Sequence, residues 1–210
     1  MSDVSRALQE PWPNLAAQRE GVHFGIWVFL ASEILFFSGL FITYAVYRHF
    51  NPQAFADAGK ETNLFYGTLN TGLLITSSMT MAVALRAAKA RLLVMTLTGL
   101  ALTMLLGLGF LLCKGLEYED DVSKNLFPGP AFPLAPGPTQ LFWMLYWIMT
   151  GLHAIHMSAG ILAVVTVGIL FWRRIIPVQG STMEGVATYW HFVDSVWLVL
   201  YPLLYLVGRS

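Results

Sequence analysis

Five side chains stand out because their chemistry is foreign to their surroundings. Glu33 lies in FLASEILFFSGLF, residues 29–41, where every neighbour is apolar or small. His153 and His156 lie three apart in GLHAIHMSAG, residues 151–160, and so share one helical face. His191 and Asp194 repeat that spacing in YWHFVDSVWLVLYPLLY, residues 189–205, with Trp197, Tyr201 and Tyr205 continuing along the same side. Carboxyl and imidazole groups in apolar segments can exchange protons, bind a metal, or satisfy one another. Glu33 has only Phe29, Leu30, Phe36 and Phe37 as its three- and four-residue helical neighbours, so its partners must come from other helices or from water. It is either a functional carboxyl, the default reading for an ionisable group inside a membrane, or a structural one making a single interhelical hydrogen bond. A carboxylate-bridged metal site in a helical bundle uses Glu-x-x-His pairs, and none occurs here. No partner that would orient either histidine as a ligand is legible, so no metal or haem is expected on this chain. The single cysteine, Cys113, excludes an internal disulfide and any two-thiolate site, and reads as a small buried thiol.

The elements that must position these groups follow from composition. Of 210 residues, 56% are hydrophobic and 11% charged, against about 25% charged in an ordinary soluble domain. A spanning helix needs ~20 mostly apolar residues. Five segments qualify, roughly 24–47, 64–85, 92–116, 139–172 and 186–207. The expected fold is an all-α, polytopic membrane protein, a five-transmembrane-helix bundle forming a single membrane domain over residues 1–210. Spans of this length exclude the short alternating strands of a transmembrane β-barrel. Formal net charge is zero, so no nucleic-acid footprint is present. The first span is too long for a signal-peptide core and is expected to be permanent.

Lys and Arg divide seven to five between the two sides, Arg6, Arg19, Arg86, Lys89, Arg91, Arg173 and Arg174 being the larger set. That set falls in the shorter loops, which places the N-terminus in the cytoplasm and the C-terminus in the periplasm. The stretch from Glu117 to Thr139 begins EYEDD and then carries Pro128, Pro130, Pro133, Pro136 and Pro138, so it reads as an extended outer loop. Its acidic start is either a solvated surface or a contact for a basic electron carrier. Trp27, Trp143, Trp147, Trp172 and Trp190 lie near span ends, as interfacial anchors do. NTGLLITSSMTMA, residues 70–82, is rich in small and hydroxylated residues and predicts close helix packing with hydrogen bonds across it. Pro202 is expected to kink the fifth span unless neighbours satisfy the freed backbone.

The chain resembles subunit III of the haem–copper terminal oxidases over essentially its whole length. FGIWVFLASEILFFSGLF at 24–41, NTGLLITSSMTMA at 70–82, GFLLCKGLEYED at 109–120, YWIMTGLHAIHMSAG at 146–160 and the 189–205 segment carry the resemblance, in order. It implies a non-redox subunit of a bacterial inner-membrane respiratory oxidase of the five-helix type. Such a subunit flanks subunit I, associates with subunit II, binds structural phospholipids, supports proton uptake, and protects the centre during turnover. Haem and copper would belong to the partner subunits and none to this chain. Glu33 matches the family's membrane carboxylate, and His153, His156, His191 and Asp194 match its other recurring polar positions. Larger members have two further helices forming a V against the rest, so lipid or a partner's helices are expected over the face those would occupy. SEILFF, EYED, NLFPGP and YPLLYL resemble the branch that oxidises cytochrome c. Subunit III of a quinol oxidase, a nitric oxide reductase accessory protein, an independent proton or solute transporter and a haem-binding electron carrier are the alternatives.

Overall fold

The computed structural model describes residues 13–130, 132–134, 137–178 and 180–209. Arg6, Pro136 and the rest of the first twelve residues lie outside that set. Among the described residues six helices follow one another: α1 (Leu15–Phe50), α2 (Pro52–Lys60), α3 (Leu64–Lys89), α4 (Leu93–Ser123), α5 (Pro138–Trp172) and α6 (Ser181–Tyr205). Four of them, α1 from Glu20 onward, α3, α4 and α5, are each long and apolar enough to cross a bilayer. The fold is a polytopic helical membrane protein. The segment expected as a fifth span is α6, 25 residues or about 37 Å long, and less apolar because it carries Glu184, His191 and Asp194.

Local chemistry sets the ends. Asn14 caps α1 by accepting the Ala17 N–H at 2.8 Å, and Asn63 caps α3 through the N–H groups of Phe65 and Tyr66. Pro52 stops α1 and begins α2 as its first residue. α3, α4 and α5 end alike. Arg91, Asn125 and Arg174 take left-handed φ of 61°, 57° and 54°. The next amide bonds back five residues, as Leu92 to Ala87, Leu126 to Asp121 and Ile175 to Leu170.

α3, α4, α5 and α6 form a ring in which each touches the next, and α1 lies outside against α5 and α6. Antiparallel α3 and α6 are joined by four side-chain hydrogen bonds in one register: Thr68 to Tyr201, Thr71 to Trp197, Ser77 to Trp190 and Ser78 to His191, all 2.7–3.1 Å. Between α3 and α4, a Cβ on Gly99 would lie 2.8 Å from that of Ala84, and Thr80 and Thr103 meet at 2.7 Å. These contacts supply the interhelical glue that lipid cannot, since tails are as apolar as leucine. α6 runs through Pro202, and the hydroxyls of Tyr44 and Thr62 donate to the carbonyls of Leu203 and Leu204.

Three expectations change. The third span does not end at 116; no proline or glycine interrupts 116–123, and α4 continues to Ser123. EYEDD is therefore helix, Glu117 and Asp121 are buried, and the loop is shorter, with Pro138 opening α5. Of the acidic run, Glu119 and Asp120 remain at the surface. Between the first two spans, α2 docks Phe55, Ala58 and Gly59 under the C-terminus, and Arg209 donates to the carbonyls of Gly59, Lys60 and Thr62. Trp27 (65% exposed) and Trp172 (71% exposed) sit outside as anchors would, whereas Trp143 and Trp190 are core residues.

Candidate functional site

The five polar residues singled out in the sequence do not meet at one point. Glu33, nearly one turn on from buried Leu30 on α1, faces α5, where its Oε2 pairs with His156 Nε2 at 3.0 Å. The couple is 18% exposed on each side. The other imidazole nitrogen, Nδ1, lies 2.8 Å from the Leu152 carbonyl, so it carries the hydrogen and fixes the ring. Phe37 packs edge-on to the imidazole, and Tyr189 of α6 donates to the His156 carbonyl at 3.0 Å. This α1–α5–α6 junction can hold and pass a proton between carboxylate and imidazole.

His153, one turn from His156, points the other way into the ring. It is fully buried between the rings of Phe110 and Trp197, and neither nitrogen has a hydrogen-bond partner. His191 bonds through Nδ1 to Ser78 on α3 at 2.7 Å. Asp194 is buried beside Ser77 and Ser78, yet neither hydroxyl is aligned on its oxygens. Ser77 donates to the Leu74 carbonyl and accepts from Trp190 instead. Among the described residues, no three His, Cys, Asp or Glu side chains converge as a metal would require. His156 has both ring nitrogens engaged within the bundle, and His153 is walled off by aromatic rings.

The strongest constellation was not anticipated. Lys114, Glu117 and Asp121 lie at i, i+3 and i+7 on α4, one face of a helix, and are only 2%, 0% and 1% exposed. Lys114 Nζ donates to Glu117 Oε2 at 3.1 Å, to the Tyr146 hydroxyl at 2.9 Å and to the Tyr205 hydroxyl at 2.7 Å. Tyr205 reaches Glu117 Oε1 at 2.8 Å. Tyr146 stands 3.0 Å from Glu117 Oε1 and 2.9 Å from Asp121 Oδ2. The ammonium also lies over the rings of Tyr146 and Tyr118, at 4.5 and 4.9 Å from their centroids. Three helices thus converge on one buried cation. The signal was present, because Lys-x-x-Glu-x-x-x-Asp is a helical stripe, but placing Glu117 in a loop hid the period.

At the opposite end of the bundle a third junction ties α1, α3 and α6. Glu184 receives Lys89 at 2.9 Å on one oxygen and His23 at 3.3 Å on the other. The Lys89 ammonium first, then His23, holds the Glu184 carboxyl below the usual carboxylate range.

Comparison with known proteins matches this architecture to one family. The model of the family described as cytochrome c oxidase subunit III matches residues 12–209. Cytochrome c oxidase subunit 3 of Thermostichus vulcanus is 34% identical, over 88% of this chain and 87% of that protein. Quinol oxidase subunit 3 of Bacillus subtilis is 30% identical over 88% and 86%. The cytochrome bo(3) ubiquinol oxidase subunit 3 of Pseudomonas aeruginosa is 28% identical over 88% and 84%.

Proposed function

The chain belongs to the cytochrome c oxidase subunit III family, and from that membership we propose that it is the non-redox accessory subunit of a proton-translocating cytochrome c oxidase in a bacterial inner membrane. In this reading it flanks subunit I, within a complex that includes subunit II, and it supports proton uptake and sustained turnover while haem and copper reside in the partners. α6 is the fifth crossing, and the N-terminus lies in the cytoplasm. Lys114 leaves the loop tally, because it is buried in α4, and this widens the Lys/Arg asymmetry on which the orientation rests.

One observation carries the reading. Within the apolar stretches of the spans, Glu33, His153, His156, His191 and Asp194 lie inside the bundle or between its helices, while the outside is oily. Phe24, Trp27, Leu35, Ile42 and Phe50 of α1 are all exposed. A scaffold of this kind offers partner helices and phospholipid tails a surface and offers a cofactor no ligands. Glu33, His153, His156, His191 and Asp194 serve here as internal polar groups, with the Glu33–His156 pair partly exposed at 18% on each side.

The test compares purified complex with and without this chain. Electron transfer in the first turnovers is expected to be unchanged, and activity is expected to decay over successive turnovers only where the chain is missing. Equal endurance of both preparations would refute the role. The quinol-oxidase relatives favour quinol as a second reading of the donor, decided by which of reduced cytochrome c or quinol the complex oxidises. A solitary transporter would dissipate a pH gradient when reconstituted alone, and no leak is expected.

A further inference from the structure

The hydrogens in the Lys114 cluster can be counted. Six polar contacts link its members: Lys114 to Glu117, to Tyr146 and to Tyr205; Tyr205 to Glu117; and Tyr146 to both Glu117 and Asp121. A lysine ammonium supplies three hydrogens and each phenol one, which makes five. With both carboxyl groups ionised, one oxygen–oxygen contact of about 3 Å would be left without a hydrogen between lone pairs. That contact involves Tyr146, whose single hydrogen cannot point at Glu117 Oε1 and at Asp121 Oδ2 together. Charge gives the same answer independently. One ammonium and two carboxylates leave a net negative charge among side chains at most 2% exposed, and an uncompensated buried charge is strongly disfavoured.

We propose that the cluster is a proton-binding site, holding one exchangeable proton on Asp121 at the end of the bundle where α4 and α6 finish. With the proton bound, Asp121 Oδ2 donates to the Tyr146 oxygen, Tyr146 donates to Glu117 Oε1, and all six contacts carry a hydrogen. The cluster is then neutral. When the proton leaves, the Asp121 carboxylate accepts from Tyr146, whose hydroxyl turns from Glu117, and the cluster carries one negative charge. Tyr146 is the pivot, the same phenolic hydrogen serving both states. The groups facing Asp121 are Lys114, Glu117 and Asp120 from α4, Tyr146 from α5 and, through Glu117, Tyr205 from α6. Asp121 Oδ1 has no partner, and Asp121 lies one turn from exposed Lys124, which gives the proton a short route to the aqueous surface. Glu117 is bonded on both oxygens, by Lys114 and by Tyr205, in both states.

Infrared spectroscopy of the purified complex tests this. Wild type at neutral pH should show a protonated carboxylic acid C=O band, sensitive to deuterium exchange, that shifts on 13C-labelling of aspartate and not of glutamate, and that disappears in Asp121→Asn. Asparagine copies the neutral carboxyl in shape and charge, so Asp121→Asn should fold and assemble with a folding equilibrium within about threefold of wild type. A spectrum unchanged by Asp121→Asn would overturn the proposal. So would a band that shifts with labelled glutamate instead, or an Asp121→Asn protein that fails to assemble.

Discussion

Replacing Lys114 by methionine keeps an apolar stem out to Cε and removes the charge together with the three hydrogens it donates. In the structure the ammonium is 3.1 Å from Glu117 Oε2, and at an effective dielectric constant of 20 that single pairing amounts to about 5 kcal/mol before desolvation. Removing one partner of a buried ion pair costs ~3–5 kcal/mol because the other charge is stranded. Glu117 would keep its bond from Tyr205, so the lower half of that range is the expectation, roughly a hundredfold or more in the folded-to-unfolded ratio. The assay is equilibrium denaturation in mixed micelles, read by tryptophan fluorescence, since Trp143 and Trp197 pack against Tyr146 and Tyr205. The double variant Lys114→Met, Glu117→Gln is the control. With no charge left to strand, it should recover more than half of the loss, since neutralising a buried pair together is often tolerated. A single variant that loses less than ~1 kcal/mol, or a double variant no better than the single, would refute the account of a mutually dependent pair.

Two smaller perturbations test the helix junctions. A Cβ on Gly67 would lie 2.6 Å from the Tyr205 ring, so Gly67→Ala must displace a phenol bonded to Lys114 and Glu117 and should cost ~1–3 kcal/mol. Gly72→Ala, five residues on with open space around it, should be neutral or slightly stabilising in the same denaturation assay. For the clasp at the other end, Lys89 holds the Glu184 carboxyl below its ordinary value of 4.5. A carboxyl lowered on folding contributes above its unfolded value and loses that contribution as pH falls through the lower folded one. Glu184→Gln should therefore cost less than ~1 kcal/mol at pH 7, the pair being partly exposed, and nothing once the pH is well below 4. A deficit that persists in acid would sink the clasp.

Much of the bundle was legible because lipid imposes a simple rule. A chain in hydrocarbon must satisfy its backbone internally, so apolar runs of sufficient length read directly as helices. The hydroxyl-rich face of residues 70–82 announced close packing, and α3 does pack by hydrogen bonds against α6 and α4. The failures have one cause. Glu117 and Asp121 read as water-facing when judged by charge alone, since carboxylates are rarely buried unless paired. Their pairing depends on Tyr146 and Tyr205, 29 and 88 residues from Glu117 along the chain, a proximity that no local pattern encodes. α2 was likewise missed because it is too short and too polar to announce a span and is held by the C-terminus.

By itself the amino-acid order determined the all-helical, membrane-embedded character of the fold, the approximate extent of its long apolar helices, and the identity of the ionisable groups placed in apolar segments. Which of those groups face one another was decided by tertiary packing alone. Glu33 found His156, Lys114 found two tyrosines and a glutamate, and His153 was left between aromatic rings. The physical reason is that helical periodicity assigns each side chain a face, whereas the rotation and register of each helix against its neighbours come from the sum of many contacts. A single residue has no say in that sum.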